Sequence, residues 1–408
     1  MNFTHACRIA IVWALASCGS PPAAEAPEPI VIETLDVLAY NVWMLPPIAR
    51  DRMERAAEIP HFLMGYDVVV LSEAFEADPA ALIAGAMVNA GYQATPVLGA
   101  SRPPECRRQL GPIEVGIDLG LNGGVMILSR DPVEYAAERF FDEACVGEDC
   151  CSAKGVLYAR VRRADDRCVH VFGTHLQNQS PAIGRGDPAA VRNTQLQMIR
   201  EFIDAEVDGS CPGPVVVAGD LNLQPPELPE ALSILRARDV PRLGPSSWGE
   251  HNAYAESDAP EHLDYVLVTS DFEEPAFSFN ETRIFRASHA MTRGSGILGI
   301  QRDGILADLS DHHAVAGHFE WGAPLAGDLL QRCANGVCSN PPQLLEHVQG
   351  HLCGPRVDGV FCDGLAHAPC DASPRRCMQV VDPASTDPTA FDDYLCYRAR
   401  NASSSCDP

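Results

Sequence analysis

The chain has 408 residues, 46% of them hydrophobic and 21% charged, enough for one large folded domain and a smaller one of ordinary globular composition. Its formal net charge of −25 argues against a protein that grips a nucleic-acid backbone, because polyanions are held by clustered Lys and Arg. The same charge suits a divalent cation or a zwitterionic partner.

At the N-terminus Arg8 precedes an apolar stretch from Ile9 to Leu15, followed by Ala16-Ser17-Cys18-Gly19. The stretch is too short to span a bilayer, which takes about 20 residues, and residues 1–17 read as an export signal. The segment around Cys18 resembles a bacterial lipoprotein processing box, with cleavage before Cys18 and a lipid on its sulfur; a plain secretory peptide cut beside small residues is the other reading. Residues 18–33, rich in Pro and Ala, form an extended tether. Sixteen cysteines fit an oxidising compartment. Cys150 and Cys151 are expected to pair with other cysteines rather than to bind metal.

Residues 34–322 alternate short β-branched runs with amphipathic segments, the pattern of an α/β sandwich. Strands are predicted at Leu35 to Tyr40, Val68 to Leu71, Gly124 to Leu128, Val156 to Val161, Val169 to Thr174, Val215 to Ala218 and Tyr265 to Val268. Helices are predicted at Arg50 to Met64, Pro79 to Asn89 and Ala189 to Val207. After Trp321 the texture changes: eight cysteines lie between Cys333 and Cys406 among frequent Pro and Gly, so residues 323–408 read as a small disulfide-stapled module.

Asn41, Glu73, His175, Asp220, Asn222 and Asp264 fall at or just past the predicted strands, where side chains leaving one sheet edge converge on one pocket. Hydrolysis of a phosphodiester needs a hard cation on the phosphoryl oxygens, a base for water and something to stabilise the leaving oxygen. Glu73, Asp220, Asn222, Asn41 and Asp311 supply the oxygen ligands that magnesium prefers. His312 can act as the base, with Asp264 fixing its tautomer.

The segments Leu38-Ala39-Tyr40-Asn41, Val70-Leu71-Ser72-Glu73-Ala74-Phe75, Gly173-Thr174-His175-Leu176-Gln177, Ala218-Gly219-Asp220-Leu221-Asn222, His262-Leu263-Asp264-Tyr265 and Leu309-Ser310-Asp311-His312 occur in the order seen in the endonuclease/exonuclease/phosphatase superfamily. With Asn122 to Ser129, Lys154 to Tyr158 and Arg192 to Leu196, the chain resembles within it the bacterial sphingomyelinases C and the neutral sphingomyelinases. The resemblance implies a DNase I-like, four-layered α/β/β/α sandwich. It implies Glu73 as principal ligand of a Mg2+, or a Mn2+ or Co2+, with Asn41 and Asp311 beside it. Asp220 and Asn222 then orient phosphate and water, His312 is the general base oriented by Asp264, and His175 stabilises the transition state or assists the departing alkoxide. The implied substrate is sphingomyelin or a related choline phospholipid, cleaved to ceramide and phosphocholine, with Phe75, Lys154 and Gln177 as substrate-binding residues. An exported, lipid-anchored or secreted monomer that takes no nucleic acid is the corresponding picture; an exported DNase I-like nuclease is the alternative.

Trp43, Phe75, Tyr158 and Trp248 are candidate aromatic faces for choline, each also readable as core. Gly296 to Ile300 with Ile305 and Leu306 form an apolar stretch before the final Asp-His, readable as a lipid-inserting loop or as a packed hairpin. His170 reads as packed or exposed, while His251, His289, His313 and His318 have no evident partner, His313 being a bystander beside His312.

Overall fold

Several strands carry unbroken runs of Val, Leu, Ile and Ala, the composition of strands covered on both faces. In chain order they are β1 (Glu33–Asn41), β2 (Val68–Ser72), β3 (Gln93–Ala94), β4 (Met126–Ser129), β5 (Val133–Phe140), β6 (Gly155–Arg162) and β7 (Cys168–His175), then β8 (Val215–Asp220), β9 (Arg242–Leu243), β10 (Asp264–Val268), β11 (Phe277–Arg283) and β12 (Ala314–Trp321). The helices are α1 (Arg52–Glu58), α2 (Pro60–Leu63), α3 (Ala77–Asn89), α4 (Pro188–Glu206) and α5 (Leu228–Leu235). This computed structural model describes residues 33–102, 120–164, 166–179, 186–249, 252–255, 257, 259–287 and 308–321, and two further strands, β13 (Arg375–Gln379) and β14 (Tyr394–Arg398). The export signal, most of the tether, the Gly296 to Leu306 stretch and the remainder of the C-terminal module, along with His251 and His289, lie outside the described residues.

Seven strands form one sheet in the order β3-β4-β2-β1-β12-β11-β9, and five form another, β10-β8-β7-β6-β5. Between them lies an apolar layer in which Val37, Ala39, Val70 and Ile127 of the first sheet meet Val171, Val216, Ala218 and Val266 of the second. The sheets approach so closely at Gly173 that a Cβ there would sit 2.9 Å from Val70 Cγ1. The outer face of the first sheet is closed by Ala56 of α1, Ile59 at the α1–α2 junction, Leu63 of α2, and Ile83 and Met87 of α3. That of the second is closed by Leu196, Ile199 and Ile203 of α4 and by Ala231 and Leu235 of α5. The result is the α/β/β/α sandwich expected from the sequence. β13 and β14 pair antiparallel with Cys377 opposite Cys396.

One expectation is corrected. The helix predicted from Arg50 to Met64 is two helices, because Pro60 has no N–H to continue the ladder and instead starts α2. By contrast α4 runs unbroken over 19 residues behind an Asp187 cap, whose Oδ1 accepts from the backbone N–H of Ala189 and Ala190. Disulfides join Cys145 to Cys150 and Cys168 to Cys211, and Cys151 is disulfide-bonded as well.

Candidate active site

The topology gathers the polar strand ends. β1 and β2 run parallel with Asn41 opposite Ser72, and β7 and β8 run parallel with His175 opposite Asp220. β10 runs against β8 and starts at Asp264, opposite Asp220. Parallel strands leave their carboxyl ends on one edge, and both sheets contribute here. Glu73 and Asn222 turn their chains there in the left-handed region, with φ of 57° and 49°. That conformation disfavours residues with a Cβ, and such cost concentrates where a side chain must be aimed.

Asp220 Oδ2 is the centre of the cluster. It accepts from Asn41 Nδ2 at 3.0 Å and lies 3.6 Å from His175 Nε2 and 3.8 Å from His312 Nε2. Asn41 Nδ2 also donates to Glu73 Oε1 at 3.1 Å, so one amide spans two carboxylates. His312 Nδ1 donates to Asp264 Oδ2 at 2.8 Å, which leaves Nε2 as the imidazole's open nitrogen. Asn222 is tied by its own N–H to Asp220 Oδ1 and by its side-chain amide to Leu176 O. Ser310 links the two halves: its hydroxyl donates to Asn41 O at 2.6 Å, and its Oγ accepts from His312 N.

Electrostatics mark the same cluster. Burial, then the charge of Asp311, pushes Glu73 up to about 7 despite the hydrogen bond from Asn41. Burial and the neighbouring Asp264 push Asp220 up to about 6, and burial raises Asp311. Burial pulls His312 down, but Asp264 and Asp220 outweigh it and hold the imidazole well above its ordinary value. His175 lies well below, through burial and the adjacent Lys154.

Among the described residues, two sets of side chains bring ligand atoms within 4.8 Å of one another: Glu73 with His175 and Asp220, and Asp220 with Asp264 and His312. Glu73 Oε2, Asp264 Oδ1 and His175 Nδ1 are buried without a hydrogen-bond partner. An unsatisfied buried polar atom costs about 1–3 kcal/mol, so carboxylate oxygens in that state fit a hard divalent cation. Half-buried Asp311 belongs to neither set; its Oδ1 accepts from Ser310 Oγ, and its charge reaches Glu73.

The three residues expected to bind substrate are placed differently. Phe75 lies 6.4 Å from the His175 ring and packs on Gly124, where a Cβ would come within 2.7 Å of the Phe75 ring. Lys154 spends all three N–H groups, on Asp149 Oδ2, Leu176 O and His175 Nε2, and so acts on His175. Gln177 is buried, and both ends of its amide bond to the Val146 backbone, fixing the loop that carries Asp149. Of the aromatic candidates, Tyr158 is core, stacked on Phe172, whereas the Trp248 backbone bridges to His312. Two contributors carried no sequence signal: Asp149, which anchors Lys154, and Ser247, whose Oγ accepts from the Asp264 N–H while its carbonyl accepts from His313 N. His318 is corrected as well: it has carboxylate partners on both nitrogens.

The profile of the Endonuclease/Exonuclease/phosphatase family matches residues 38–312. A sphingomyelinase C of Bacillus cereus is 29% identical over 304 residues, spanning 69% of this chain and 88% of that protein. The crystal structure of sphingomyelinase C from Streptomyces griseocarneus, 30% identical, superposes with a TM-score of 0.59 over 71% of this chain and 99% of that one. A beta toxin mutant from Staphylococcus aureus with bound magnesium ions, 25% identical, superposes with a TM-score of 0.57 over 70% of this chain and 100% of that one. The chain therefore belongs to the endonuclease/exonuclease/phosphatase family, and its similarity within that family is to bacterial phospholipase C-type hydrolases.

Proposed function

We infer that this protein is a divalent-cation-dependent phosphodiesterase that hydrolyses sphingomyelin, or a closely related choline phospholipid, to ceramide and phosphocholine. The observation that carries the reading is the His312–Asp264 pair, with Nε2 of His312 facing the Asp220, Asn41 and Glu73 cluster. Glu73 and Asp220 would hold the cation, with Asn41 and Asp311 at its margin. Once bound, it supplies positive charge for the phosphoryl oxygens and weakens the grip of the carboxylates on the His312 proton.

His312 takes a proton from the attacking water through Nε2, while its Nδ1–H stays on Asp264, which fixes the tautomer and balances the imidazolium. Water oxygen bonds to phosphorus as the bond from phosphorus to the ceramide oxygen breaks. His175, kept neutral with Nε2 accepting from Lys154, has its Nδ1–H unspent to stabilise the departing alkoxide. Phe75, whose ring centre lies 6.4 Å from that of His175, and Trp248, whose backbone bridges to His312, would be the aromatic residues to receive a quaternary ammonium. Export and lipid attachment at Cys18 complete the reading, since they would place the enzyme where its substrate is. The purified protein is assayed on vesicles of sphingomyelin or phosphatidylcholine and on plasmid DNA, with Mg2+ or with EDTA. Phosphocholine released from sphingomyelin only with Mg2+ is the expected result, and cleavage of DNA alone would overturn it.

A further inference from the structure

Arg55 is a buried cation that takes no part in the chemistry described above. It lies on α1, is 0% exposed, and among the described residues has no carboxylate at ion-pair distance. Its guanidinium is spent on main-chain carbonyls instead. Nη1 donates to Val42 O at 2.7 Å and to Leu309 O at 2.9 Å, Nη2 to Trp43 O at 2.6 Å, and Nε to Arg50 O at 2.8 Å. Trp43 and Tyr254 place their rings 5.2 and 5.6 Å from its carbon, which holds the charge by cation–π attraction where water cannot reach.

The choice of carbonyls matters. Val42 follows Asn41, and Leu309 precedes Ser310 and Asp311, so one nitrogen ties the loop leaving β1 to the loop entering β12. The first loop follows directly on Asn41, whose amide spans Glu73 and Asp220, and the second carries the histidine paired with Asp264. They are joined again one residue on, by Ser310 Oγ to Asn41 O. Tyr254 extends the brace, because its segment hangs on Asn252, whose amide donates to Ser310 O. A fully buried arginine is most often paired with a carboxylate. This one satisfies carbonyls flanking the site's two arms and keeps its charge near Asp311.

We propose that Arg55 is a positioning residue of the active site, setting the spacing between the cation-binding arm at Asn41 and Glu73 and the base-bearing arm at Asp311 and His312. This rests on the reading of that cluster as the catalytic centre. Without the guanidinium, four main-chain carbonyls lose their donor, those of Val42 and Leu309 in fully buried bonds, and the two loops part at the residues that abut the site.

The test compares Arg55→Met, Arg55→Lys and Ile199→Ala, the last a cavity variant in the α4 core, by thermal melting, calorimetric Mg2+ titration and steady-state kinetics. Arg55→Met should raise the Mg2+ Kd about tenfold, as lost outer partners of ligands do, and lower kcat about 100-fold with KM held within about threefold. Arg55→Lys, which can serve one or two carbonyls, should recover part of both. Ile199→Ala should melt earlier with both constants unchanged. A folded Arg55→Met with wild-type Kd and kcat overturns the proposal, as does an Ile199→Ala that loses as much. If Arg55→Met does not fold, Arg55→Lys decides in the same way. A wild type that binds Mg2+ but cleaves no choline lipid removes the functional reading while the Kd comparison still decides the role of Arg55.

Discussion

His312 and His318 stand six residues apart, both buried and both held by carboxylates, and they do opposite things. His318, inside β12, gives Nδ1 to Asp36 at 2.8 Å and Nε2 to Glu320 at 3.0 Å, so neither nitrogen is left to act. His312, in the loop before β12, gives Nδ1 to Asp264 and keeps Nε2 open toward a carboxylate 3.8 Å away. The first is an internal counter-ion that neutralises buried acids. The second turns its open nitrogen toward a cluster in which Glu73 Oε2 and Asp264 Oδ1 are buried without a hydrogen-bond partner. An imidazole nitrogen left open, more than the presence of a histidine beside carboxylates, separates the candidate site from the structural ion pair.

The comparison breaks most visibly at Glu73. Glu73→Gln should lower kcat by about 10³-fold, since a lost cation contact forfeits several kcal/mol of charge stabilisation. It should also stabilise the cation-free protein by about 1 kcal/mol in denaturant unfolding, because an amide in that place does not bury a charge. Opposite signs for activity and stability are what a functional cluster yields.

At the other histidine the signs reverse. His318→Gln should leave kcat within about twofold and cost about 3–5 kcal/mol, the loss seen when a buried pair is broken from one side. The pH dependence sharpens it. Burial lowers the proton affinity of His318, but Asp36 and Glu320 outweigh it and raise the group from 6.5 to about 9. A raised histidine contributes stability that is complete below about pH 6.5 and is lost as pH climbs through about 9. The wild-type melting temperature should fall across that window, and the His318→Gln melting temperature should not follow it.

The smallest effect separates the site's acids from an ordinary ion pair. Glu73 and Asp220, raised to about 7 and about 6, hold protons in the folded state that the unfolded chain releases from about pH 4 upward. Cation-free stability from these two groups therefore falls as pH rises toward 7. Added Mg2+ should raise the melting temperature by a few degrees at pH 8 and by less at pH 5.5, where it must displace protons. Equal increments at both pH values would place the cation elsewhere.

Strands covered on both faces were legible as apolar runs: the predicted Val156 to Val161 and Val215 to Ala218 sit inside β6 and β8. Strand β5 was not, because Val133 to Phe140 lies at the edge of its sheet, largely exposed, and its Glu, Ala and Arg carry no strand signal. The 2.8 Å contact of His312 with Asp264 follows the pairing expected from the motifs. What the sequence hid are contacts made by backbone. Arg55 acts through carbonyls, whose positions no residue identity encodes, and Ser247 and Asp149 are close to the site only because loops return there. His318 looked partnerless because Asp36 and Glu320 approach it only through β1–β12 pairing and alternation along β12.

The most direct test is phosphocholine release from sphingomyelin vesicles by His312→Ala beside the wild type, with circular dichroism and melting on the same samples. A general base contributes about 10²–10⁴-fold, so the variant should remain folded, still bind Mg2+, and lose turnover by that factor at pH values where the wild-type imidazole is free to accept a proton. A folded His312→Ala that keeps wild-type turnover would contradict the account.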